Sequence, residues 1–80
     1  MTEEAVKALI EAGIKDAHVE VVDTRGSGDH FQAIVISDEF EDISLVKRHQ
    51  MVYASLDAHL TKEIHALQLN TLTNAEWKKQ

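Results

Sequence analysis

The chain has 80 residues, no cysteine and a formal net charge of -6 at pH 7. This length predicts one small domain over residues 1–80, and the lack of thiols excludes disulfides, thiolate metal ligands and a cysteine nucleophile. An acidic N-terminal segment and the lack of an apolar run of about 20 residues argue against a signal peptide and a membrane span, so we expect a cytoplasmic protein.

The first half of the chain predicts one helix followed by two strands. Apolar residues recur at helical spacing over residues 3–12, and Thr2 is a candidate N-cap. Alternating patterns predict strands at His18–Asp23 and Phe31–Ser37, with Phe31, Ala33 and Val35 on one face of the second. Two glycines between the strands favour a mobile loop over a two-residue turn.

The second half predicts a long helix, a third strand and a short last helix. Ser44 is a candidate cap for a helix with one apolar stripe, formed by Leu45, His49, Val52, Tyr53, Leu56 and Leu60. Ile64–Leu72 alternates like a strand, with His65 at its start. Thr73 and Glu76 have the spacing of a capping box, which predicts a helix through Trp77.

The predicted order αββαβα indicates an α+β fold. Two strands joined by a helix are expected to be parallel with a right-handed crossover. The result is a three-stranded mixed sheet with the helices on one face.

Three segments, GDHFQAIVIS, FEDISLVKRHQMVYASL and IHALQLNTLTNAEW, resemble the BolA family. The resemblance extends from about Thr2 to Trp77 and is strongest from Phe40 through Val52 to His65. It implies the family's αββαβ core, which is related to the type II KH fold. One difference from KH domains that bind nucleic acid is that GSGD joins two strands here, whereas their G-x-x-G loop joins two helices.

The resemblance implies an adaptor that pairs with a monothiol glutaredoxin in iron-sulfur cluster handling or iron sensing. In the family, a histidine that His65 matches ligates a 2Fe-2S cluster, and the second ligand comes from the loop between the first two strands. His30 is the imidazole in that loop. The partner and glutathione would supply thiolates, so we expect no tightly bound cluster on the isolated chain.

The ligand assignments have alternatives. From periodicity alone, His65 is more simply a half-buried histidine at a strand end that donates to a carbonyl. His30 directly precedes Phe31, whereas the loop ligand of other family members stands several residues earlier. Asp29 and Ser27 are therefore alternatives to His30, and a further alternative is that the loop supplies no ligand.

A nucleic-acid-binding transcription regulator is the alternative function. Lys47 and Arg48 match a basic helical segment of the family to which DNA binding has been attributed. Against it stand the net charge of -6, Gln50 where many members have Arg, and Asp42 where the family usually has Gly.

The remaining expectations concern the other histidines, catalysis and assembly. His49 falls among apolar residues of the long helix and is expected in the core or half-buried, whereas His18 and His59 are expected on the surface. No arrangement of nucleophile, base and phosphate loop is present, so we do not expect an enzyme. A homodimer joined at a sheet edge is a third hypothesis.

Overall fold

The computed structural model describes residues 1–60, 64 and 66–80, and only the backbone of Ala58. The elements are α1 (Glu3–Gly13), β1 (His18–Asp23), β2 (His30–Ile36), α2 (Leu45–Leu56), β3 (Ala66–Leu72) and α3 (Asn74–Lys78). Single 3₁₀ turns lie at Asp38–Phe40 and Asp57–His59. The predicted order of elements is confirmed. None of the helices in the described ranges is long and apolar enough to cross a membrane.

The sheet has the order β1-β2-β3. β1 and β2 are antiparallel, because a loop joins them directly, and β2 and β3 are parallel, because α2 lies between them in the chain. The predicted mixed sheet is confirmed. The third strand begins at Ala66, two residues later than predicted, while Ile64 forms an isolated bridge with Leu60. His65 lies outside the described residues.

The core lies between one face of the sheet and the two longer helices. Its fully buried side chains include those of α1 (Val6, Ile10), the residue after α1 (Ile14), β1 (Val19), β2 (Phe31, Ala33, Val35), the first 3₁₀ turn (Phe40) and α2 (Val52, Leu56). The alternation predicted for β2 is therefore confirmed. Ile36 is also buried, although its position in the alternation predicted the other face.

The predicted apolar stripe of α2 is wrong in part. Val52 and Leu56 are buried, but Leu45 is 63% and Tyr53 38% exposed. Arg48 is buried with Val52 and Leu56, at a spacing of four residues along one face of the helix. The helix is thus rotated away from the orientation that apolarity alone predicted, because its buried face includes a charged side chain.

A left-handed residue lies in the turn before α2. Asp42 has a φ of 60°, in the region that glycine adopts without steric cost and that aspartate tolerates. This backbone angle gives a physical reason for the glycine usual at this position in the family that the sequence resembles. The turn then leads to Ser44, whose side chain accepts a hydrogen bond from the Lys47 amide and caps α2 as predicted.

Candidate functional site

The loop between β1 and β2 is built around the carboxylate of Asp23. Its Oδ1 accepts hydrogen bonds from the amides of Arg25 (3.2 Å) and Gly26 (2.8 Å), and its Oδ2 accepts one from the amide of Gly28 (2.8 Å). Gly26 and Gly28 have φ angles of 71° and 77°, which turn the chain so that these amides converge. The loop that the sequence predicted to be mobile is thus organised by one side chain.

These backbone donors also lower the pKa of Asp23. Desolvation of the carboxylate acts to raise the pKa, but the amides of Gly28, Arg25, Gly26 and Ser27 outweigh it and hold the pKa below its usual value. Asp23 therefore stays ionised at neutral pH, and its negative charge is directed at backbone amides.

His30, the first residue of β2, is held by its neighbour Asp29. Nδ1 of the imidazole lies 2.7 Å from Oδ1 of Asp29, and the same oxygen accepts a hydrogen bond from the hydroxyl of Ser27. The imidazole is 23% exposed. Histidines that bind metals are commonly oriented in this way, with one ring nitrogen bonded to a carboxylate and the other directed at the metal.

The start of β3 lies beside His30. Ala66 is the register partner of His30, and its amide donates to the carbonyl of Asp29 at 3.2 Å. A cavity of about 380 Å³, which we call the His30 cavity, is lined by Thr24, Arg25, His30, Phe31, Ala66 and Gln68. The structure thus brings His30 next to Ala66, the residue that directly follows His65 in the sequence. The assignment of His65 itself falls outside the described residues and stays a prediction.

The sequence missed two parts of this site. The organising role of Asp23 and the position of Arg25 on the cavity both depend on how the loop closes. A signal for the first was present, since an aspartate followed by glycines three and five residues later is typical of a side chain that caps backbone amides. For Arg25 the signal was its charge, since the other residues of this loop are uncharged or acidic apart from His30.

The other three histidines that the structure describes do not line the His30 cavity. His49 is half-buried, and its ring meets the ring of Tyr53 edge to face at 6.5 Å, so the predicted burial is confirmed. His18 is exposed, as predicted, with Nε2 2.9 Å from the carboxylate of Glu20. His59, predicted on the surface, is half-buried in the turn after α2.

Arg48, proposed from sequence as half of a basic surface pair, is an interior side chain. Only 9% of its side chain is exposed. Its guanidinium donates to the carbonyls of Ile43 (2.8 Å) and Thr71 (3.3 Å) and to a carboxylate oxygen of Glu76 (2.8 Å). Its Cζ lies 5.7 Å from the ring centre of the buried Phe40. Burial of this charge is possible because four oxygen or aromatic partners surround it.

Glu76 links this cluster to the last helix. Its carboxylate accepts from the amide of Thr73 at 2.8 Å, and its amide donates to the Thr73 hydroxyl at 3.1 Å, so the predicted capping box is confirmed. The hydrogen bond from Arg48, followed by that from the Thr73 amide, lowers the pKa of Glu76 from 4.5 to about 2. The same carboxylate therefore caps α3 and neutralises Arg48.

These contacts change the interpretation of the basic segment. Lys47 is exposed, but Arg48 is engaged inside the domain. The adjacent pair therefore does not form a continuous basic surface. Two cations side by side in the sequence point in different directions because successive residues of a helix are separated by about 100°.

Within residues 1–60, 64 and 66–80, no group of three or more His, Cys, Asp or Glu side chains is placed to hold a metal ion.

Comparison with known proteins places these features in a family. The family model for BolA-like proteins matches residues 10–76. Protein BOLA2 of Arabidopsis thaliana is 40% identical over 80 residues, covering 98% of this chain and 85% of that protein. The DNA-binding transcriptional regulator BolA of Escherichia coli is 33% identical over 85 residues, covering 98% of this chain and 81% of that protein.

Solved structures agree with the sequence comparisons. A BolA protein homologue from Coxiella burnetii superimposes with a TM-score of 0.79 at 36% identity, covering 98% of this chain and 97% of that one. The similarity thus includes the whole order of helices and strands described above. The chain belongs to the BolA family.

Proposed function

We propose that this chain is a non-catalytic adaptor that pairs with a monothiol glutaredoxin and shares a 2Fe-2S cluster with it, with His65 and His30 as nitrogen ligands. The observation that carries the proposal is the position of His30. Its imidazole is oriented by the carboxylate of Asp29, lines a cavity and lies beside the residue that follows His65. A partly exposed, carboxylate-bound imidazole is suited to a metal that arrives with a partner protein.

The composition of the chain supports shared ligation. It contains no cysteine, so thiolate ligands must come from outside the chain. In the proposed complex the partner's cysteine and glutathione supply them. Mixed nitrogen and sulfur ligation raises the reduction potential of a cluster relative to ligation by thiolates alone. It also makes the cluster sensitive to acid, because a protonated imidazole releases the metal. These properties fit a cluster that is passed on or used to sense iron.

The test is co-expression with a monothiol glutaredoxin, followed by visible absorbance and circular dichroism of the purified complex. We expect a cluster spectrum from the complex and no stable cluster on this chain alone. His65→Ala should abolish the spectrum of the mixed-ligand cluster, and His30→Ala should weaken or shift it. His18→Ala is the matched control, because His18 is an exposed histidine whose partner in the structure is Glu20.

Two results would contradict the proposal. One is a stable, coloured cluster on the isolated chain. The other is an unchanged spectrum in both the His65 and the His30 variants while the far-ultraviolet dichroism shows that they are folded. A spectrum lost from the His30 variant alone would place the cluster on the loop without His65.

Nucleic-acid binding is the second candidate, because relatives such as the Escherichia coli protein are named DNA-binding transcriptional regulators. The net charge of -6 and the burial of Arg48 oppose it. We expect the affinity for duplex DNA at physiological salt to be no better than the roughly 10⁻⁴ to 10⁻⁶ M of non-specific binding. Fluorescence anisotropy at two salt concentrations, with Lys47→Ala as the variant, tests this. Submicromolar, sequence-selective binding lost in that variant would favour the regulator.

A further inference from the structure

Arg25 lies beside the His30 cavity and has no counter-ion among the described residues. It is exposed and is one of the residues that line the cavity. The ion pairs found among residues 1–60, 64 and 66–80 are His18–Glu20, Asp29–His30 and Arg48–Glu76, and none involves Arg25. In a chain with a net charge of -6, an unneutralised guanidinium next to a cavity is a local attraction for an anion.

The loop holds the base of this side chain in place without neutralising it. The Arg25 amide donates to Asp23, whose carboxylate oxygens also accept from Gly26 and Gly28. On the other side, the amide and the hydroxyl of Thr24 both donate to the carbonyl of His30, at 2.9 Å and 3.2 Å. Arg25 therefore directly follows Thr24, which is hydrogen-bonded to His30. The carboxylate of Asp23 accepts from backbone amides.

We infer that Arg25 binds the glycine carboxylate of the glutathione that supplies a thiolate to the shared cluster. This inference rests on the function proposed above. The planar guanidinium matches a carboxylate in two parallel hydrogen bonds. The cavity volume of about 380 Å³ lies within the range of small-molecule sites, so it accommodates one end of a tripeptide beside His30.

The inference assigns different roles to the two side chains. His30 contributes to the metal, whereas Arg25 contributes to the affinity for the thiol that comes with it. Loss of Arg25 should therefore change how much glutathione the complex needs, and the spectrum at saturating glutathione should stay the same.

The experiment titrates glutathione into the complex of this chain with a monothiol glutaredoxin during cluster assembly, followed by visible circular dichroism. Arg25→Ala is expected to raise the half-saturating glutathione concentration about three- to tenfold, the range between an exposed ion pair and a charge-assisted hydrogen bond. Arg25→Lys should recover part of the loss. Lys47→Ala removes an exposed cation from α2 and should have no effect.

A chemical variant of the ligand identifies the carboxylate. Glutathione esterified at its glycine carboxylate should assemble less well with the unchanged chain, and Arg25→Ala should cause little further loss with this ester. Equal losses from Arg25→Ala with both ligands would overturn the assignment, because Arg25 would then contact something other than that carboxylate. Identical half-saturation for the unchanged chain and Arg25→Ala would also overturn it.

The outcome also separates this inference from the proposed function. If no cluster assembles at any glutathione concentration, the adaptor function fails and the inference fails with it. If the cluster assembles and depends on His65 or His30 but not on Arg25, the function stands and only the inference is wrong.

Discussion

Asp23 and Glu76 organise two regions of the domain in different ways. Both carboxylates have a pKa below the usual value. Asp23 is satisfied by backbone amides of the β1–β2 loop, whereas Glu76 is satisfied by Arg48 and the Thr73 amide. As a result, the Arg48 side chain is buried and hydrogen-bonded inside the fold, whereas Arg25 is exposed beside the His30 cavity. The carboxylate that binds backbone amides leaves the neighbouring Arg25 exposed, whereas the carboxylate that binds Arg48 keeps this cation from the surface.

The largest expected effect is a difference in stability between variants of the two arginines. Arg48→Ala should lower the free energy of unfolding by about 2–4 kcal/mol, because it removes the donor to the buried carbonyl of Thr71 and to the partly buried carbonyl of Ile43, and it removes packing against Phe40. Arg25→Ala should change it by less than about 0.5 kcal/mol, as for other exposed side chains. Urea denaturation measures both, with Lys47→Ala as the adjacent control. Equal losses for the two arginine variants would remove the distinction between them.

The Arg48 cluster should also give a pH dependence. The pKa of Glu76 is about 2 in the folded chain against an ordinary value of 4.5, so its contribution to stability is complete above 4.5 and is lost as the pH falls towards 2. Glu76→Gln lacks this contribution. The difference in unfolding free energy between the unchanged chain and the variant should therefore be constant near neutral pH and shrink in acid.

Acid unfolding curves of the two proteins provide the measurement, and the acid response of Asp23 cancels because both proteins retain it. We expect a smaller loss at neutral pH than for Arg48→Ala, because the Glu76 side chain is 48% exposed and solvent screens its charge. A difference that grows in acid would have the wrong sign for a salt bridge with Arg48.

A stabilising substitution lies next to Arg48. The Thr71 hydroxyl is buried, and no hydrogen-bond partner for it is found among the described residues, although the Thr71 carbonyl accepts from Arg48. Thr71→Val keeps the shape and the carbonyl but removes the unpaired hydroxyl, so it should raise the free energy of unfolding by about 1 kcal/mol. Thr71→Ser is the control, because it retains the hydroxyl and loses a methyl group. A loss of stability in the valine variant would indicate a partner for the hydroxyl.

The smallest effect concerns the turn that leads to Ile43, whose carbonyl accepts from Arg48. Asp42→Gly should raise stability by about 0.5 kcal/mol, because glycine adopts the left-handed φ of 60° without steric cost. Glu41→Gly is the matched control. Glu41 has a φ of -58°, so glycine there brings only added flexibility in the unfolded chain and should lower stability. Similar changes in both variants would show that the backbone angle of Asp42 is not the cause.

The local pattern of the sequence was sufficient for most of the fold. The 3.6-residue and two-residue periods predicted α1, α2 and the three strands, since they reflect which side chains of an isolated element can share a face. The Thr73–Glu76 capping box was equally visible, because both of its hydrogen bonds lie within four residues. The left-handed φ of 60° at position 42 is likewise a local property, and it favours Gly or a tolerant residue such as Asp.

The tertiary structure decided what the charged residues do. The stripe of α2 contained apolar residues on two adjacent faces, and the inward face was selected by partners distant in the sequence: Thr71 and Glu76 lie 23 and 28 residues from Arg48. Likewise, the pairing of His30 with Ala66 depends on the register between β2 and β3. The sequence by itself determined the elements and the family, because these depend on short-range patterns. Only long-range hydrogen bonding and register separated the internal arginine from the one beside the candidate site.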